Sequence, residues 1–332
     1  MKKTWIGITC ALVVTIGLGM FLGKGLSQPG EAQAQESADG RPLRIITTLF
    51  PGYDFARTLL GDKGNVTLLL PPGAESHTFE PTPQDILDIS KADLFVYAGG
   101  ESEHWVREML SSLGESVPQT FAMMDFVALE AEEYTASMQK EQEDEDHVQQ
   151  EDGVSLDEHV WTSPKNAIQL VKSLSGVLQG LLPLEGDRKA VLENEAMYVA
   201  KLTDLDAAFQ RVVDQGAKRT LIFGDRFPFR YLMDAYHLSY DAAFPGCSED
   251  SEPSAQTLAS LIGRIKSENI PVVFYIEFSS RKTAEILAEE TGAKPLLLHS
   301  CHNVSQHEMD AGATYLSLME GNVAALREAL KP

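Results

Sequence analysis

An unbroken helical stretch, from about Gly186 to Gln215, constrains the fold of this chain more than any other feature. No internal proline or glycine interrupts it, and a shorter predicted helix, from Ser163 to about Leu182, comes directly before it. At 1.5 Å per residue, about thirty helical residues extend about 45 Å, which is enough to cross a whole molecule. We therefore expect a long rigid helix that links two parts of the protein.

Apolar runs that are typical of strands lie on both sides of this helix and alternate with helical stretches. That alternation indicates βαβ units around parallel sheets. The predicted strands are Ile45–Phe50, Val66–Leu70 and Leu94–Ala98 in the first half, and Thr220–Phe223, Pro271–Ile276 and Pro295–Leu298 in the second. The other predicted helices are Thr82–Ala92, Phe229–His237, Ala255–Ser267, Lys282–Glu290 and Tyr315–Leu330.

These elements predict the α/β fold class, with two parallel-sheet α/β lobes joined by the long rigid helix. We expect the first lobe at residues 42–185, the linker helix at residues 186–215 and the second lobe at residues 217–332. A single large doubly wound sheet is the alternative. Ligands bind such sheets outside the carboxyl ends of the strands, so we expect a ligand cleft between the lobes.

Residues 1–34 have the pattern of a secretory leader. Two lysines precede an apolar run from about Trp5 to Leu22, and a small-residue sequence ends at Ala34. The alternative is a retained signal-anchor, because the run approaches the length of about 20 residues that spans a bilayer. Cys10 lies too early in the run for a lipid-attachment cysteine. In both cases the rest of the chain lies outside the cytoplasm, secreted or membrane-anchored at the cell surface or in the periplasm.

The chain is strongly acidic, with a formal net charge of -22, which becomes -24 once residues 1–34 are removed. Nucleic-acid binding requires clustered lysine and arginine, so this composition excludes it, whereas cations are attracted. Residues 130–158 contain twelve acidic residues and one lysine. Such a segment predicts a solvated, mobile acidic loop. The alternative is a loop that draws cations towards a nearby site, with His147 as a weak transient ligand.

Two cysteines, Cys247 and Cys301, remain after the leader. In an oxidising compartment they pair, bind a metal or stay buried. Sequence alone leaves these alternatives open, including a disulfide between the two.

Histidines stand at two loop positions that suit metal binding. His77 lies in a proline-rich loop after the predicted strand Val66–Leu70, and His159 directly precedes a predicted helix. Near His159, Asp157 is a potential hydrogen-bond acceptor for the ring and Trp161 a packing surface. A single histidine of this kind is usually a surface or core residue, so its position alone does not establish a ligand.

A third cluster follows the predicted strand Pro295–Leu298 and contains His299, Cys301 and His302. Two imidazoles and a thiol within four residues suit a borderline-soft ion such as zinc. Because these residues and the earlier histidines lie in different halves of the chain, together they predict a metal site between the lobes.

Motifs for catalysis are missing from the sequence: there is no Gly-x-Ser-x-Gly, no His-Glu-x-x-His and no phosphate-binding glycine loop. We therefore predict a binding protein and not an enzyme. Two alternatives stay open. One is an extracellular metallohydrolase with Glu277 as general base. The other is a surface adhesion module.

Three segments carry a family resemblance: His77–Asp85, Asp157–Ala167 and Glu252–Ser254. They resemble the zinc and manganese solute-binding proteins of ABC importers, a family that includes streptococcal adhesin-type lipoproteins, and the similarity covers essentially the whole mature chain. The resemblance implies two α/β lobes, a rigid connecting helix and a metal held in the cleft by His77 and His159. It also implies delivery of that metal to the membrane permease of an ABC importer. We expect the protein to act as a monomer.

The chain departs from the family pattern at two further ligand positions. The third ligand of the family falls on Gly224, which cannot bind a metal, and the fourth falls on His299. We predict that His299 takes the fourth position and that His302 compensates for Gly224. Together with His77 and His159 this gives up to four nitrogen ligands, which favours Zn²⁺ as the transported ion, with Mn²⁺ possible. The reserve ligands are Asp225, Glu277 and Cys301.

Overall fold

The computed structural model describes residues 41–76, 78–138, 155–246 and 252–331. The predicted leader at residues 1–34 lies outside this part of the chain. Within it, two separate four-stranded parallel sheets form, so the expected pair of α/β lobes is confirmed and the single large sheet is not. No helix among the described residues is long and apolar enough to span a membrane.

The first lobe is built on a sheet with the order β2-β1-β3-β4, in which all neighbouring strands are parallel. Its strands are β1 (Leu43–Thr47), β2 (Gly64–Leu68), β3 (Leu94–Tyr97) and β4 (Gln119–Ala122). Its helices are α1 (Phe50–Leu60), α2 (Pro83–Ile89) and α3 (His104–Ser112), with short 3-10 helices at Glu101–Glu103, Gly114–Ser116 and Met123–Phe126.

The second lobe repeats this arrangement with the sheet order β6-β5-β7-β8, again with parallel neighbours. Its strands are β5 (Thr220–Phe227), β6 (Ser239–Pro245), β7 (Val272–Tyr275) and β8 (Lys294–Leu297). Along the chain, the strands of the first sheet are followed by a 3-10 helix (Val160–Thr162), α4 (Pro164–Leu181) and α5 (Glu185–Gln215), and then by those of the second sheet. The remaining helices are α6 (Arg230–Tyr236), α7 (Ala255–Glu268), α8 (Lys282–Thr291), α9 (Gln306–Asp310) and α10 (Tyr315–Ala329).

Helices cover both faces of each sheet, as parallel strands require. In β1 the side chain of Ile45 packs in the main core, whereas Ile46, next in sequence, packs in a second cluster with Phe95. In the second lobe Phe223 belongs to the main core and Ile222 to a separate cluster. Alternate residues of one strand therefore stabilise two different layers.

The long helix α5 has 31 residues, and it begins one residue before the predicted stretch. From the first lobe, the Leu59 carbonyl oxygen accepts a hydrogen bond from Asn194 (2.9 Å). From the second lobe, the Tyr236 hydroxyl donates to Asp206 (2.8 Å). The helix therefore contacts both lobes, as a rigid connection between them should.

The carboxyl ends of the two sheets are linked by the segment that follows β8. The amide of Phe50, at the start of α1, donates to the carbonyl oxygen of His302 (3.0 Å). The Asn303 side chain donates to the carbonyl oxygens of Pro71 (2.7 Å) and Ala74 (3.0 Å), in the loop after β2. In each lobe, the carboxyl ends of the strands thus face the other lobe. This is the edge at which α/β sheets generally bind ligands.

Part of the predicted acidic loop is folded. We call residues Glu130–Met138 the strap. Ser137 and Met138 are buried, and strap residues contact the second lobe. This differs from the expected solvated loop, because hydroxyl groups of the strap bind a buried carboxylate. Composition alone does not predict such contacts. Residues 139–154, with His147, lie outside the described part of the chain.

Candidate metal centre

His159 is completely buried. It directly precedes the 3-10 helix Val160–Thr162, which leads into α4. Its Nδ1 atom lies 3.0 Å from Asp157 Oδ1, which also accepts the backbone N–H of His159 (2.8 Å). This contact assigns the ring proton to Nδ1, so the lone pair of the ring lies on Nε2. Burial lowers the pKa of His159, but the carboxylates of Asp157, Glu158 and Glu132 raise it, and the net result is a pKa above the ordinary value.

His302 lies beside His159, although 143 positions separate them in the sequence. The two ring centroids are 4.7 Å apart and the rings are nearly perpendicular, at 81°. Trp161 packs against both rings, at 5.7 Å from His159 and 5.1 Å from His302. The structure therefore brings together two of the predicted ligands, one on each side of the interlobe cleft.

A hydrogen-bond relay holds the ring of His302. Its Nδ1 atom is 2.5 Å from Ser300 Oγ, and that hydroxyl is 2.5 Å from Glu277 Oε1. The Ser300 hydroxyl donates a hydrogen bond to the Glu277 carboxylate. Its oxygen therefore accepts a hydrogen bond from the Nδ1–H group of His302. Ser300 also donates its backbone N–H to Glu277 (2.7 Å). As in His159, the lone pair then resides on Nε2, the tautomer that an imidazole needs to bind a cation through that atom.

Sequence reasoning missed Ser300. The available signal was its position between two candidate ligands, His299 and His302, directly after a strand. Glu277, which we predicted as a reserve ligand, occupies the end of this relay. In this position Glu277 can orient the ring of His302 through the Ser300 hydroxyl.

His299 is also buried, but its ring makes different contacts. Its Nδ1 atom accepts the backbone N–H of Cys301 (3.0 Å), which assigns the ring proton to Nε2. Nε2 lies 3.7 Å from Glu308, and Nδ1 lies 3.6 Å from Glu277. Asn322 fixes the His299 backbone with two hydrogen bonds of 2.7 Å. In this arrangement both ring nitrogens face protein groups, and a ligand role for His299 stays a prediction.

Cys301 is a fully buried free thiol in the main hydrophobic core. Its backbone has a positive φ of 64°, and the thiol lies 3.8 Å from the carbonyl oxygen of His299. Burial raises the pKa of this thiol well above its usual range, which disfavours the thiolate that metals bind. A free thiol also argues against a disulfide; Cys247 itself lies outside the described residues.

Asp225 connects two strands of the second lobe. Its carboxylate accepts the backbone N–H of Ile276 (3.2 Å), after β7, and that of Arg226 (2.9 Å), in β5. Burial raises the pKa of this carboxyl group. These contacts suit a structural bridge, and a role as reserve ligand has no further support from this geometry.

His77 lies outside the described residues, and its ligand role stays a prediction. The loop that precedes it is held against the second lobe, where Glu75 pairs with Arg226 (2.9 Å). Glu75 and Ser76 line the same small pocket as Ser300 and His302. Among the residues that the structure describes, no group of three or more His, Cys, Asp or Glu is arranged to hold a metal ion.

The family model for zinc-uptake complex component A, periplasmic (ZnuA), matches residues 45–329. The chain belongs to the ZnuA family. It is 36% identical over 305 residues to the high-affinity zinc uptake system protein ZnuA of Bacillus subtilis (strain 168), covering 91% of this chain and 92% of that protein. It is 34% identical over 296 residues to the zinc-binding lipoprotein AdcA of Streptococcus pneumoniae (strain ATCC BAA-255 / R6), covering 89% of this chain and 57% of that protein.

The fold is likewise that of the ZnuA family. The crystal structure of the Zn(II)-bound ZnuA-like domain of Streptococcus pneumoniae AdcA superposes with a TM-score of 0.72 at 30% identity. The match covers 88% of this chain and 100% of that domain. This agreement confirms the two-lobe architecture that the sequence predicted.

Gly224, the position that resembles a ligand position of the ZnuA family, is closely packed. A Cβ atom built on it would lie 2.6 Å from the Cα and 2.8 Å from the backbone nitrogen of Ala284, in α8. Real Cβ atoms do not approach backbone this closely, so glycine is required here unless α8 moves. Any ligand that takes the place of the family's third ligand must therefore come from another part of the chain.

Gly246 allows the ring of His159 to lie against the backbone after β6. A Cβ atom at this position would lie 3.0 Å from His159 Cε1 and 3.0 Å from the carbonyl oxygen of Phe227. Because one of these neighbours is backbone, an added methyl group would press on the histidine. The second lobe thus shapes the space around His159, a candidate ligand from the first lobe.

Two buried carboxyl groups lie at the carboxyl end of the first sheet. Glu103 accepts the backbone N–H groups of Ala98 (2.7 Å) and Gly99 (3.1 Å), and Glu158 accepts that of Ser102 (3.1 Å). Burial raises the pKa of Glu103 to about 7, and the nearby charge of Glu158 contributes to the increase. Near neutral pH, Glu103 is thus partly protonated inside the protein.

Replacing Glu103 by glutamine is expected to raise the free energy of unfolding above that of the wild type at pH 8, and to change it much less at pH 5. The folded-state pKa is raised above the unfolded value, so the contribution of Glu103 to stability is complete below about pH 4 and is lost as the pH rises through about 7. The full effect is up to about 3 kcal/mol. Urea denaturation of both proteins at pH 5 and pH 8 measures it, with the exposed Glu108→Gln as control. An equal stability difference at both pH values would contradict the prediction.

Proposed function

We propose that this protein captures zinc outside the cytoplasmic membrane and delivers it to an ABC-type importer. One observation carries the proposal: the buried rings of His159 and His302 meet at 4.7 Å at the junction of the lobes. Each ring is held through Nδ1, which places its lone pair on Nε2. Membership of the ZnuA family supports zinc as the cargo and a membrane permease as the partner. Imidazole ligands favour Zn²⁺ over Mn²⁺.

The proposed ligands are His77, His159 and His302, with His299 as the fourth. The loop before His77 lines the pocket of His302, which supports its inclusion. For His299 to bind through Nε2, its ring proton must leave that atom, and the hydrogen bond from Cys301 to Nδ1 must break. Binding by His299 therefore requires its present ring contacts to change.

A receptor explains the site better than the two alternatives. A hydrolase needs a general base beside a metal-bound water, but Glu277 is occupied by two hydrogen bonds from Ser300. An adhesion module is not favoured, because the relatives at 34% and 36% identity are named for zinc binding and zinc uptake. We propose that the protein acts without catalysis and as a monomer, since both lobes of the cleft belong to one chain.

Zinc affinity is expected to fall as the pH drops from 7.5 to 5.5. Zinc binds neutral imidazole, so protons compete, and the raised pKa of His159 makes this competition begin at higher pH than for an ordinary histidine. Below the pKa, each ligating histidine reduces the affinity by about tenfold per pH unit. Competition with a chelator of known affinity measures the effect. An affinity that does not change over this range would rule out histidine ligation.

The ion and its ligands are tested directly by elemental analysis and zinc-edge X-ray absorption of the purified full chain. We expect about one zinc per chain with nitrogen or oxygen neighbours and no sulfur, because Cys301 is a buried thiol of raised pKa. Protein isolated with no transition metal, and unable to bind any that is added, would contradict the proposed function.

A further inference from the structure

The strap anchors the first lobe to a buried carboxylate of the second lobe. Asp241, in β6, is only 1% exposed. Its two oxygens accept the hydroxyls of Thr135 (2.5 Å) and Ser137 (2.7 Å). The Ser137 hydroxyl is also 2.7 Å from that of Ser260, in α7. Two strap residues therefore share one internal acceptor on the opposite lobe.

Further charged groups complete this attachment. Arg264, in α7, donates to Asp241 (3.0 Å) and balances its charge. Glu133 of the strap pairs with Arg230 and accepts the hydroxyl of Tyr240 (3.2 Å). A buried polar cluster in which the groups satisfy one another is costly to separate, because opening it leaves a buried charge without its partners.

The other end of the strap holds the backbone next to His159. Two backbone hydrogen bonds of 2.9 Å join Glu130–Glu132 to Ser155–Asp157 in antiparallel fashion. The Tyr231 hydroxyl, from the second lobe, accepts the N–H of Glu130 (3.2 Å) and donates to the carbonyl oxygen of Asp157 (2.7 Å). Because Asp157 also contacts the ring of His159, these hydrogen bonds link the strap to the position of this ring.

We propose that Asp241 is a positioning residue that acts through the strap on His159 and slows the release of bound zinc. The inference rests on the proposed function. Asp241 does not touch the ion. Release requires His159 to move away or the lobes to separate, and both motions pull the strap from its anchor. Since affinities within one system change mainly through dissociation rates, we expect the effect in the off-rate.

The test measures zinc release from the full chain into excess chelator by stopped-flow. Asp241→Asn and the double variant Thr135→Val/Ser137→Ala are each expected to release zinc about tenfold faster, with an unchanged association rate. All three substitutions together are expected to act no more strongly than the double variant, because they remove the same contact. Thr135→Ser retains the hydroxyl and is expected to release zinc at the wild-type rate.

A matched control separates positioning from general loss of stability. Tyr236→Phe removes the hydrogen bond to Asp206 between α6 and α5, away from the strap. We expect this variant to lose stability without faster release. If Asp241→Asn does not fold, the strap variant still tests the inference, because it leaves the ion pair of Asp241 with Arg264 in place.

The outcomes distinguish this inference from the proposed function. Wild-type release rates in the strap variants, or equally fast release in Tyr236→Phe, would overturn the positioning role of Asp241 while zinc binding stands. A wild-type chain that holds no zinc would overturn both.

Discussion

Replacement of His159 by alanine is expected to weaken zinc binding by about a hundredfold or more. The substitution removes an imidazole whose lone pair is directed by Asp157, and it leaves that carboxylate buried without the ring. If four ligands share a structural zinc affinity of about 10–16 kcal/mol, one ligand accounts for about 3 kcal/mol, or about two orders of magnitude. His302→Ala is expected to act similarly. Chelator competition at pH 7.5 measures both.

The controls for this experiment lie within the same chain. His104→Ala changes an exposed histidine at the start of α3 and is expected to leave the affinity unchanged. Asp157→Asn keeps the ligand but alters its support, and a smaller loss of about ten- to a hundredfold is expected. The combined variant His77→Ala/His159→Ala is expected to lose tight binding. Unchanged affinity in that variant would reject the proposed site.

Replacement of Asp54 by alanine is expected to lower the free energy of unfolding by about 3–5 kcal/mol. Asp54 is fully buried in α1 and accepts hydrogen bonds from three groups. They are the guanidinium of Arg57 (2.8 Å), the hydroxyl of Tyr198 in α5 (2.9 Å) and the backbone N–H of Tyr315 in α10 (3.1 Å). Alanine leaves these donors without their shared acceptor in the place where three helices meet.

Urea denaturation at pH 7 measures this effect. Asp62→Ala removes an exposed carboxylate just after α1 and is expected to change stability little. Asp54→Asn keeps one acceptor oxygen and should fall between the alanine variant and the wild type. Equal stability of the Asp54→Ala and Asp62→Ala variants would show that the three helices do not depend on this acceptor.

Most of the fold could be predicted because apolar periodicity and helix breaks are local properties of the sequence. The helix from Glu185 to Gln215 is one example, and the strand Leu94–Tyr97 is another. Strands β4 and β6 were not predicted. The first two residues of Gln119–Ala122 are exposed, so it lacks an apolar run. Ser239–Pro245 carries Asp241 in its interior, which reads as a break unless the strap that binds it is known.

The candidate site was only partly accessible from the sequence. The contact of His159 with Asp157 joins residues only two positions apart in the sequence, so it could be predicted. The relay from His302 through Ser300 to Glu277 depends on the loops after β7 and β8 meeting, which no local pattern specifies. The anchoring of the strap likewise joins residues about one hundred positions apart.

The structure has no room for a histidine at position 224. The backbone of Ala284 stands only 2.6 Å from where the first side-chain carbon would be, so the whole of α8 would have to be repositioned before any larger residue fitted. A single substitution at this position therefore cannot introduce a ligand side chain without a shift of α8. Any ligand added to the proposed site by design must therefore come from a position other than 224 in β5.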